Sequence, residues 1–350
     1  MAGNSSIFNS KRIPLAFISS VVLFFIVQAV LVGSRQFWRF CYFYSYPSSG
    51  DKLRMEANLR LIAHDQTQRK VFILGSSEAR EDIDVDLLNK FLKDAGFGFY
   101  NFGLSGYGSP FEMLYVMNKA LRYRPDVIVY MPYIGSFFPD TDFELKNIMR
   151  SYFHPSQLTF LSKYFGLDFD ILPDIVVIEL DYVWGRVSPL YQYREQVQMI
   201  LNAALRNKLG IEKRSEPLRF AYTQNQHPTY FIAQILKEKG GKFQRNTFTQ
   251  LNQELMIRMI SDLRKKGVDF IVLSGPPNPL MQKTFPRELN EEYQSFLAAQ
   301  SAKDGFVFVP ETQLPQFSVR EFIDFTHLNA VGRTRFTMFL AENILRWQSQ

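Results

Sequence analysis

The sequence predicts an α/β protein with a doubly wound, five-stranded parallel sheet and one N-terminal transmembrane helix. Five short apolar runs, most of them rich in β-branched or aromatic residues, have the length of buried strands rather than helices. Helical patterns separate these runs, and such alternation is typical of a parallel sheet covered on both faces. One long uncharged apolar segment near the N-terminus predicts the membrane helix.

The order of the elements follows from this alternation. The predicted strands are residues 71–74, 97–102, 127–131, 270–274 and 306–309. The predicted helices are residues 85–94, 111–122, 248–266, 291–302 and 331–347. The alternation breaks once, from about residue 141 to about residue 246, where aromatic residues are frequent and no strand is evident. We expect a helical insertion there, whose aromatic side chains either pack a subdomain or line a substrate lid.

The apolar segment at residues 13–33 is long enough to cross a bilayer. Its length, and the arginine and aromatic residues that follow it, favour an uncleaved anchor over a secretory signal peptide. Lys11 and Arg12 precede it, but Arg35 and Arg39 follow, so charge alone does not fix its orientation. The predicted organisation is an N-terminal tail at 1–12, an anchor at 13–33, a juxtamembrane connector at 34–69 and a folded domain at 70–350.

Composition excludes several classes of protein. A chain of 350 residues with 46% hydrophobic content can bury a large core, which argues against disorder. The net charge of +6 is scattered, without an arginine-rich arm or a zinc-ligand pattern, so we expect no nucleic-acid partner. The only cysteine, Cys41, excludes an intrachain disulfide and a cysteine-rich metal site. His154 and His227 lack carboxylates at ligand spacing, and we expect neither a metal nor a cofactor.

The first predicted strand runs into a candidate catalytic turn, within the sequence FILGSSEAR at residues 72–80. Gly75 allows a tight turn from strand to helix, in which a hydroxyl can project into the cleft beyond the sheet. Either Ser76 or Ser77 is then a nucleophile or only a helix cap. The motif taken alone is more typical of capping.

A glycine-rich loop follows the second predicted strand, within NFGLSGYGSP at residues 101–110. Gly103, Gly106 and Gly108 let the backbone approach a ligand closely, and their amides can stabilise an oxyanion. Plain turn formation explains the same glycines. The loop indicates a functional site only in combination with the other two motifs.

The sequence IDFTHLNAVGR, residues 323–333, lies just before the last predicted helix. Asp324 precedes His327 by three residues, a spacing that lets the carboxylate orient the imidazole for general-base work. His327 is one of four histidines, and none of the others has an acidic residue three positions earlier. A surface histidine beside a capping aspartate is the alternative.

The three motifs lie far apart in sequence, but a doubly wound sheet brings such loops together at the carboxyl ends of its strands. We therefore expect a serine-type catalytic site. A nucleotide-binding domain is a weaker alternative, because the chain lacks the dinucleotide fingerprint and the lysine of a phosphate-binding loop.

This combination resembles the SGNH (GDSL-like) hydrolase superfamily, with GSS at 75–77, NFGLSG at 101–106 and DFTH at 324–327 as its blocks. Within it, a Gly-Ser-Ser-Glu opening at 75–78 behind one N-terminal membrane helix resembles the membrane-anchored DltD-like and alginate O-acetylation-like envelope proteins and spirochaetal SGNH-like proteins. The resemblance implies a three-layer fold with Ser77 as nucleophile, Asp324 and His327 as its triad partners, and the Ser77 and Gly106 amides as oxyanion donors. Further residues expected to line the site are Ser76, Glu78, Tyr107, Tyr133, Ser136 and Asn278.

One departure affects the expected activity. The third block of the superfamily supplies an asparagine, but the corresponding loop, MPYIGSFFPD at 131–140, contains none. Losing one oxyanion donor removes about 3 kcal/mol of transition-state stabilisation. Either Tyr133 or Ser136 substitutes for it, or the protein is specialised or inactive.

The expected function is thus a serine esterase or O-acyltransferase anchored in the membrane, with its domain on the extracytoplasmic side. Its expected partners are an acylated glycan, polymer or lipid of the cell envelope, the membrane itself and a membrane-bound acyltransferase. The alternative is an inactive envelope protein that binds a polymer or a membrane partner through the same cleft.

Overall fold

Five parallel strands form one sheet in the order β2-β1-β3-β4-β5, which confirms the predicted fold class. The computed structural model describes residues 12–44, 47–65, 67, 69–105, 108–138, 188, 197–198, 201–202, 205–206, 208–209, 247–283 and 285–347. The strands are β1 Arg69–Gly75, β2 Phe97–Asn101, β3 Val127–Met131, β4 Asp269–Leu273 and β5 Val307–Val309. Each lies within two residues of its predicted bounds.

Helices cover both faces of the sheet. The described α-helices are α1 Arg12–Gly33, α2 Arg35–Tyr44, α3 Pro47–Ala63, α4 Ser77–Asp82, α5 Val85–Phe91, α6 Pro110–Ala120, α7 Thr247–Lys265, α8 Arg287–Asp304 and α9 Ala330–Trp347. The turn at Gly75 was expected to lead into a helix, but α4 has no bounds in the sequence prediction, because six residues are too few to show a helical period. The predicted insertion lies, apart from isolated positions, outside the described residues.

Local signals set the ends of several helices. At the start of α6, the Ser109 hydroxyl accepts a hydrogen bond from the Glu112 amide, and the Glu112 carboxylate accepts one from the Ser109 amide. Pro110 stands at the first helical position, where no amide is needed. The Asp84 side chain caps α5 in a similar way. Helix α8 stops at Gly305, which has a φ of +72°.

Strand β1 shows how the sheet divides the core into two layers. Phe72 and Leu74 point into the layer formed with α6, α7 and α8. Val71 and Ile73 point into the opposite layer, formed with α5 and α9. All four side chains are at most 1% exposed, as expected for a central strand covered by helices on both faces.

The strand order determines where a ligand site can form. Strand β1 lies between β2 and β3. The chain adds β2 on one side of β1 and then adds β3 on the other side, so the direction of winding changes at β1. Gly75, at the carboxyl end of β1, pairs with Met131, at the carboxyl end of β3. The loops after β1, β2 and β3 therefore meet at the switch point of the sheet, where open α/β sheets bind ligands.

The N-terminal helices α2 and α3 lie between the long apolar helix α1 and this domain. Helix α1 contains a stretch, Leu15–Gly33, that is long and apolar enough to span a bilayer, and most of its side chains are exposed. Helix α3 lies within the predicted connector, yet its side chains Met55, Leu59 and Ile62 are buried in the core layer that contains α6. The domain boundary at residue 70 stays a prediction.

We predict that Leu59→Ala lowers the free energy of unfolding by about 2–5 kcal/mol, because it leaves a cavity in this core layer. Leu59 is 5% exposed. The control Ile257→Ala, at a side chain 37% exposed on α7, should change stability by less than about 0.5 kcal/mol. Urea unfolding in detergent measures both. Equal stability of Leu59→Ala and wild type would contradict the packing of α3 on the domain.

Candidate active site

The turn between β1 and α4 places two adjacent serines in different surroundings. Gly75 has a φ of +143°, and a Cβ there would lie 2.0 Å from the Met131 carbonyl oxygen, so that glycine is needed. Ser76 is fully buried, and its hydroxyl caps α4 by accepting a hydrogen bond from the Glu78 amide at 3.1 Å. Ser77, the first residue of α4, carries the hydroxyl that reaches the cleft.

Ser77, His327 and Asp324 form a continuous hydrogen-bonded row. The Ser77 Oγ lies 2.9 Å from His327 Nε2, and His327 Nδ1 lies 2.8 Å from Asp324 Oδ2. With Asp324 accepting from Nδ1, the Nε2 atom of a neutral imidazole is left to accept the serine proton. The structure thus brings together the three side chains that the sequence motifs predicted, in the geometry of a nucleophile, a base and an orienting acid.

The Asp324 carboxylate also organises its own loop. Its Oδ1 atom accepts hydrogen bonds from the Thr326 amide at 2.9 Å and from the His327 amide at 2.8 Å. Burial by itself raises the pKa of Asp324, but the charge of His327 and these hydrogen bonds outweigh burial and lower it. Asp324 therefore stays ionised beside the imidazole. Asn278 donates to the Asp324 carbonyl oxygen at 3.3 Å and supports the loop from the β4 side.

Helix α4 is tied directly to the loop that carries His327. Asp82 accepts a hydrogen bond from the Leu328 amide at 2.7 Å, and Arg333 donates to the Glu81 carbonyl oxygen at 3.4 Å. Burial and the nearby Glu78 raise the pKa of Asp82 well above its ordinary value. Sequence reasoning missed Asp82, although the acidic pair Glu81–Asp82, a few residues after the Gly-Ser-Ser turn, was a usable signal.

The glycine-rich loop packs along the other side of α4. Asn101, the last residue of β2, donates to the Ala79 carbonyl oxygen at 2.8 Å and accepts from the Gly103 amide at 2.9 Å. A Cβ on Gly103 would lie 2.5 Å from the Arg80 amide nitrogen. Gly108 has a φ of +64°, and a Cβ on this residue would lie similarly close to the Gly75 backbone. The glycines allow this contact between the loop and the turn at Gly75, which larger residues would block.

A cavity of about 190 Å³ opens beside the triad, at the carboxyl ends of β3 and β4. Three of the residues predicted to line the site, Glu78, Tyr133 and Asn278, lie in its wall. Ser136 does not: its hydroxyl donates to the Tyr133 carbonyl oxygen, and its side chain is buried below the loop. Burial, and then the charge of Glu78, raise the pKa of Tyr133, whose hydroxyl therefore stays protonated.

Glu78 is the most perturbed acid in the cavity wall. Burial, together with the charges of Asp324 and Glu311, raises its pKa from 4.5 to about 8. The side chain contacts Gly275, where a Cβ would lie 2.4 Å from Glu78 Oε2. At neutral pH the cavity therefore presents a protonated carboxyl group, which can donate a hydrogen bond to a ligand.

Several predicted positions lie outside the described residues, namely Gly106, Tyr107, His154 and His227. The oxyanion amide of Gly106 and the lack of a metal at the two histidines stay predictions. Within the ranges that the structure describes, no group of three or more His, Cys, Asp and Glu side chains is arranged to hold a metal ion.

One protein-family model matches residues 220–348, about a third of the chain, and its description names no activity. No curated protein matches the sequence. Among the solved structures that match is an acetyl xylan esterase from the rumen bacterium Butyrivibrio proteoclasticus, with a TM-score of 0.36 and 13% identity over 81% of this chain. The chain spans 65% of the length of that esterase. A TM-score this low carries no argument about activity.

We predict that Glu78→Gln removes part of the pH dependence of stability. Between pH 4.5 and about pH 8 the folded wild type holds the Glu78 proton while the unfolded chain has lost it, so this group makes stability fall as pH rises. The variant should be more stable than wild type at pH 9 by an amount on the order of a few kcal/mol. At pH 4 the two should be close to equal.

Urea unfolding at pH 4, 7 and 9 measures this difference directly. Glu288→Gln, at an exposed position in the first turn of α8, is the control and should show no such trend. The other buried acids titrate in both proteins, so the difference between variant and wild type reports Glu78 together with the effect of its charge on Asp82 and Tyr133. A constant difference across the three pH values would contradict the raised pKa.

Proposed function

We propose that this protein is a membrane-anchored serine esterase or O-acyltransferase of the SGNH type, acting on an acyl ester of a cell-envelope glycan, polymer or lipid. The observation that carries the proposal is the 2.9 Å contact between Ser77 Oγ and His327 Nε2, with Asp324 on the far side of the imidazole. Such a row activates a hydroxyl that is a weak nucleophile by itself.

The reaction proceeds in two steps. His327 Nε2 takes the Ser77 proton as the oxygen attacks the ester carbonyl, and the resulting imidazolium is stabilised by Asp324. His327 then returns the proton to the leaving alcohol, which departs and leaves an acyl group on Ser77. Water or an acceptor hydroxyl attacks this acyl-enzyme in the second step, again with His327 as base. The acceptor decides whether the outcome is hydrolysis or transfer.

The developing oxyanion is stabilised from the start of α4. The first amides of a helix have no acceptor within the helix, so the Ser77 amide is suited to this role. The Gly106 amide is the second proposed donor. Tyr133, which stays protonated in the cavity wall, replaces the missing third-block asparagine more readily than Ser136, whose hydroxyl is bonded to a carbonyl oxygen.

The cavity beside the triad favours a short acyl group. Its volume of about 190 Å³ is below the ~300–1,000 Å³ of sites for drug-sized ligands. Glu78 and Tyr133 offer hydrogen bonds on one side, while Phe285 and Phe325 give an apolar surface on the other. A small acyl group, or the ester end of a polymer that stays mostly outside, suits this space.

Helix α1 supports the proposed location. Anchoring restricts the site to substrates near the membrane, which favours envelope components over soluble metabolites. We place the domain on the extracytoplasmic side, where a membrane-bound acyltransferase would supply the acyl group in the transfer reaction. An inactive envelope protein that binds a polymer or membrane partner is the second candidate, and the missing third-block asparagine favours it.

We predict that a fluorescent fluorophosphonate labels the wild-type protein at Ser77. The variants Ser77→Ala and His327→Ala should lose labelling, since one lacks the nucleophile and the other the base. Ser76→Ala is the matched control: it should keep labelling, while losing about 1 kcal/mol of stability with the helix cap. In-gel fluorescence and thermal unfolding measure the two effects.

The result separates the two candidate functions. Labelling that depends on Ser77 and His327 supports an activated serine and justifies a screen of acyl donors and acceptors. A folded wild-type protein that no fluorophosphonate labels is evidence for the non-catalytic envelope protein. Loss of labelling in Ser76→Ala alone would reassign the nucleophile.

A further inference from the structure

A buried cluster of charged and polar side chains links the membrane-proximal helix α3 to the candidate nucleophile helix α4. Asp51, in α3, is 7% exposed, and Arg80, in α4, is 2% exposed. Asp51 Oδ1 accepts a hydrogen bond from Arg80 Nη1 at 3.0 Å, and Arg80 Nε donates to Glu81 at 2.7 Å. The cluster is separate from the triad, and the mechanism above does not use it.

The glycine-rich loop joins the same cluster through Ser105. Asp51 Oδ2 accepts from the Ser105 amide at 2.7 Å, and Asp51 Oδ1 accepts from the Ser105 hydroxyl at 2.8 Å. Arg80 also donates to that hydroxyl. A single carboxylate on α3 therefore holds both α4 and the loop after β2, which are the two segments that carry the proposed oxyanion donors.

Arg80 cannot move without affecting Ser77. Helix α4 contains only six residues, and Arg80 stands three positions after Ser77, with its amide bonded to the Ser76 carbonyl oxygen at 3.1 Å. Burial by itself lowers the pKa of Arg80, but the charges of Glu81 and Asp51 outweigh it, so the guanidinium stays charged. A buried charge that loses one partner forces its surroundings to rearrange. The Asp51 carboxylate thus constrains the position of α4.

Helix α3 is in turn packed on the helices next to the membrane. Trp38, Cys41 and Tyr42 of α2 form a buried cluster with Leu53 and Ala57 of α3. The Trp38 indole donates to the Val32 carbonyl oxygen, near the end of α1, at 2.6 Å. On its other side, α3 contacts the sheet, where Asn58 donates to the Asn101 carbonyl oxygen at 2.5 Å. Side-chain contacts therefore run from the membrane helix to the nucleophile turn.

We propose that Asp51 is a positioning residue for the acyl-transfer site. From the membrane-proximal helix it holds α4 and the glycine-rich loop at the separation that the reaction needs. The anchor region is then part of the catalytic unit and not only a tether. This inference rests on the proposed function, because positioning has a kinetic effect only if Ser77 reacts.

The test uses the full chain in detergent micelles, with Asp51→Asn as the main variant. The rate of fluorophosphonate labelling and kcat for p-nitrophenyl acetate should fall by about 10- to 100-fold, because small displacements of reacting groups have effects of that size. KM should change by less than about threefold, since Asp51 does not line the cavity. All rates are taken at a temperature where circular dichroism shows each variant to be folded.

Glu56→Gln is the matched control, on the same helix. It removes a 2.9 Å ion pair to the partly exposed Arg60 and should leave kcat within about twofold of wild type. Ser105→Ala serves as a milder second variant: it keeps the Asp51 to Arg80 pair and should lower kcat by about three- to tenfold. An unchanged kcat in both Asp51→Asn and Ser105→Ala would overturn the proposal, as would an equal loss in Glu56→Gln.

Amide hydrogen exchange distinguishes the failure of this proposal from the failure of the proposed function. Asp51→Asn should speed exchange in residues 77–82 and 103–105 but not in α8, whether or not the serine reacts. Faster exchange with no labelling of wild type would refute the enzymatic function and leave the structural coupling in place. Unchanged exchange in α4 would overturn the coupling itself. If Asp51→Asn does not fold, the same comparison is made with Ser105→Ala.

Discussion

The turn at Gly75 is the constraint on which the candidate active site depends. The backbone reverses against β3, where the Ser76 amide donates to the Met131 carbonyl oxygen at 3.2 Å and leaves no space for a Cβ on Gly75. With the turn held in this way, Ser76 must face inward and cap α4, while Ser77 faces the cleft. A side chain at residue 75 would displace β3 or the turn, and with the turn the whole of α4. The missing Cβ at residue 75 thereby determines which of two adjacent hydroxyls faces the cleft.

Four of the six residues of helix α4 are buried ionisable side chains, and three of them contact different parts of the structure. Arg80 connects to helix α3, Asp82 to the loop of His327, and Glu78 to the cavity. The raised pKa values of Glu78 and Asp82 show that these acids are buried at the expense of stability. Buried acids with raised pKa values cluster at functional sites. There the positions of the side chains are maintained although the charged groups would be more stable in water.

Features set by residues close together in the sequence could be predicted, whereas features that depend on contacts between distant residues could not. Strands were predictable within two residues because a continuous apolar run is a local property, and Asp324 and His327 were predictable because they lie three residues apart. The choice of Ser77 over Ser76 needed the family resemblance, since both serines fit the same turn. Asp51 was not predictable at all: its partner Arg80 lies 29 residues away, and nothing in α3 indicates that the carboxylate points inward. The glycine-rich loop and the cavity wall lie on different sides of α4, and this placement likewise could not be predicted because it depends on the order of the strands in the sheet.

The single thiol of the chain occupies an informative place in this arrangement. Cys41 lies between α2 and α3, is 1% exposed, and has a pKa that burial raises to about 12. While these two helices remain packed, the sulfur is protonated and shielded, so alkylating reagents have no access to a thiolate. Separation of α2 from α3 would expose it. The protein therefore contains a built-in chemical reporter whose rate of modification records how often these two helices separate.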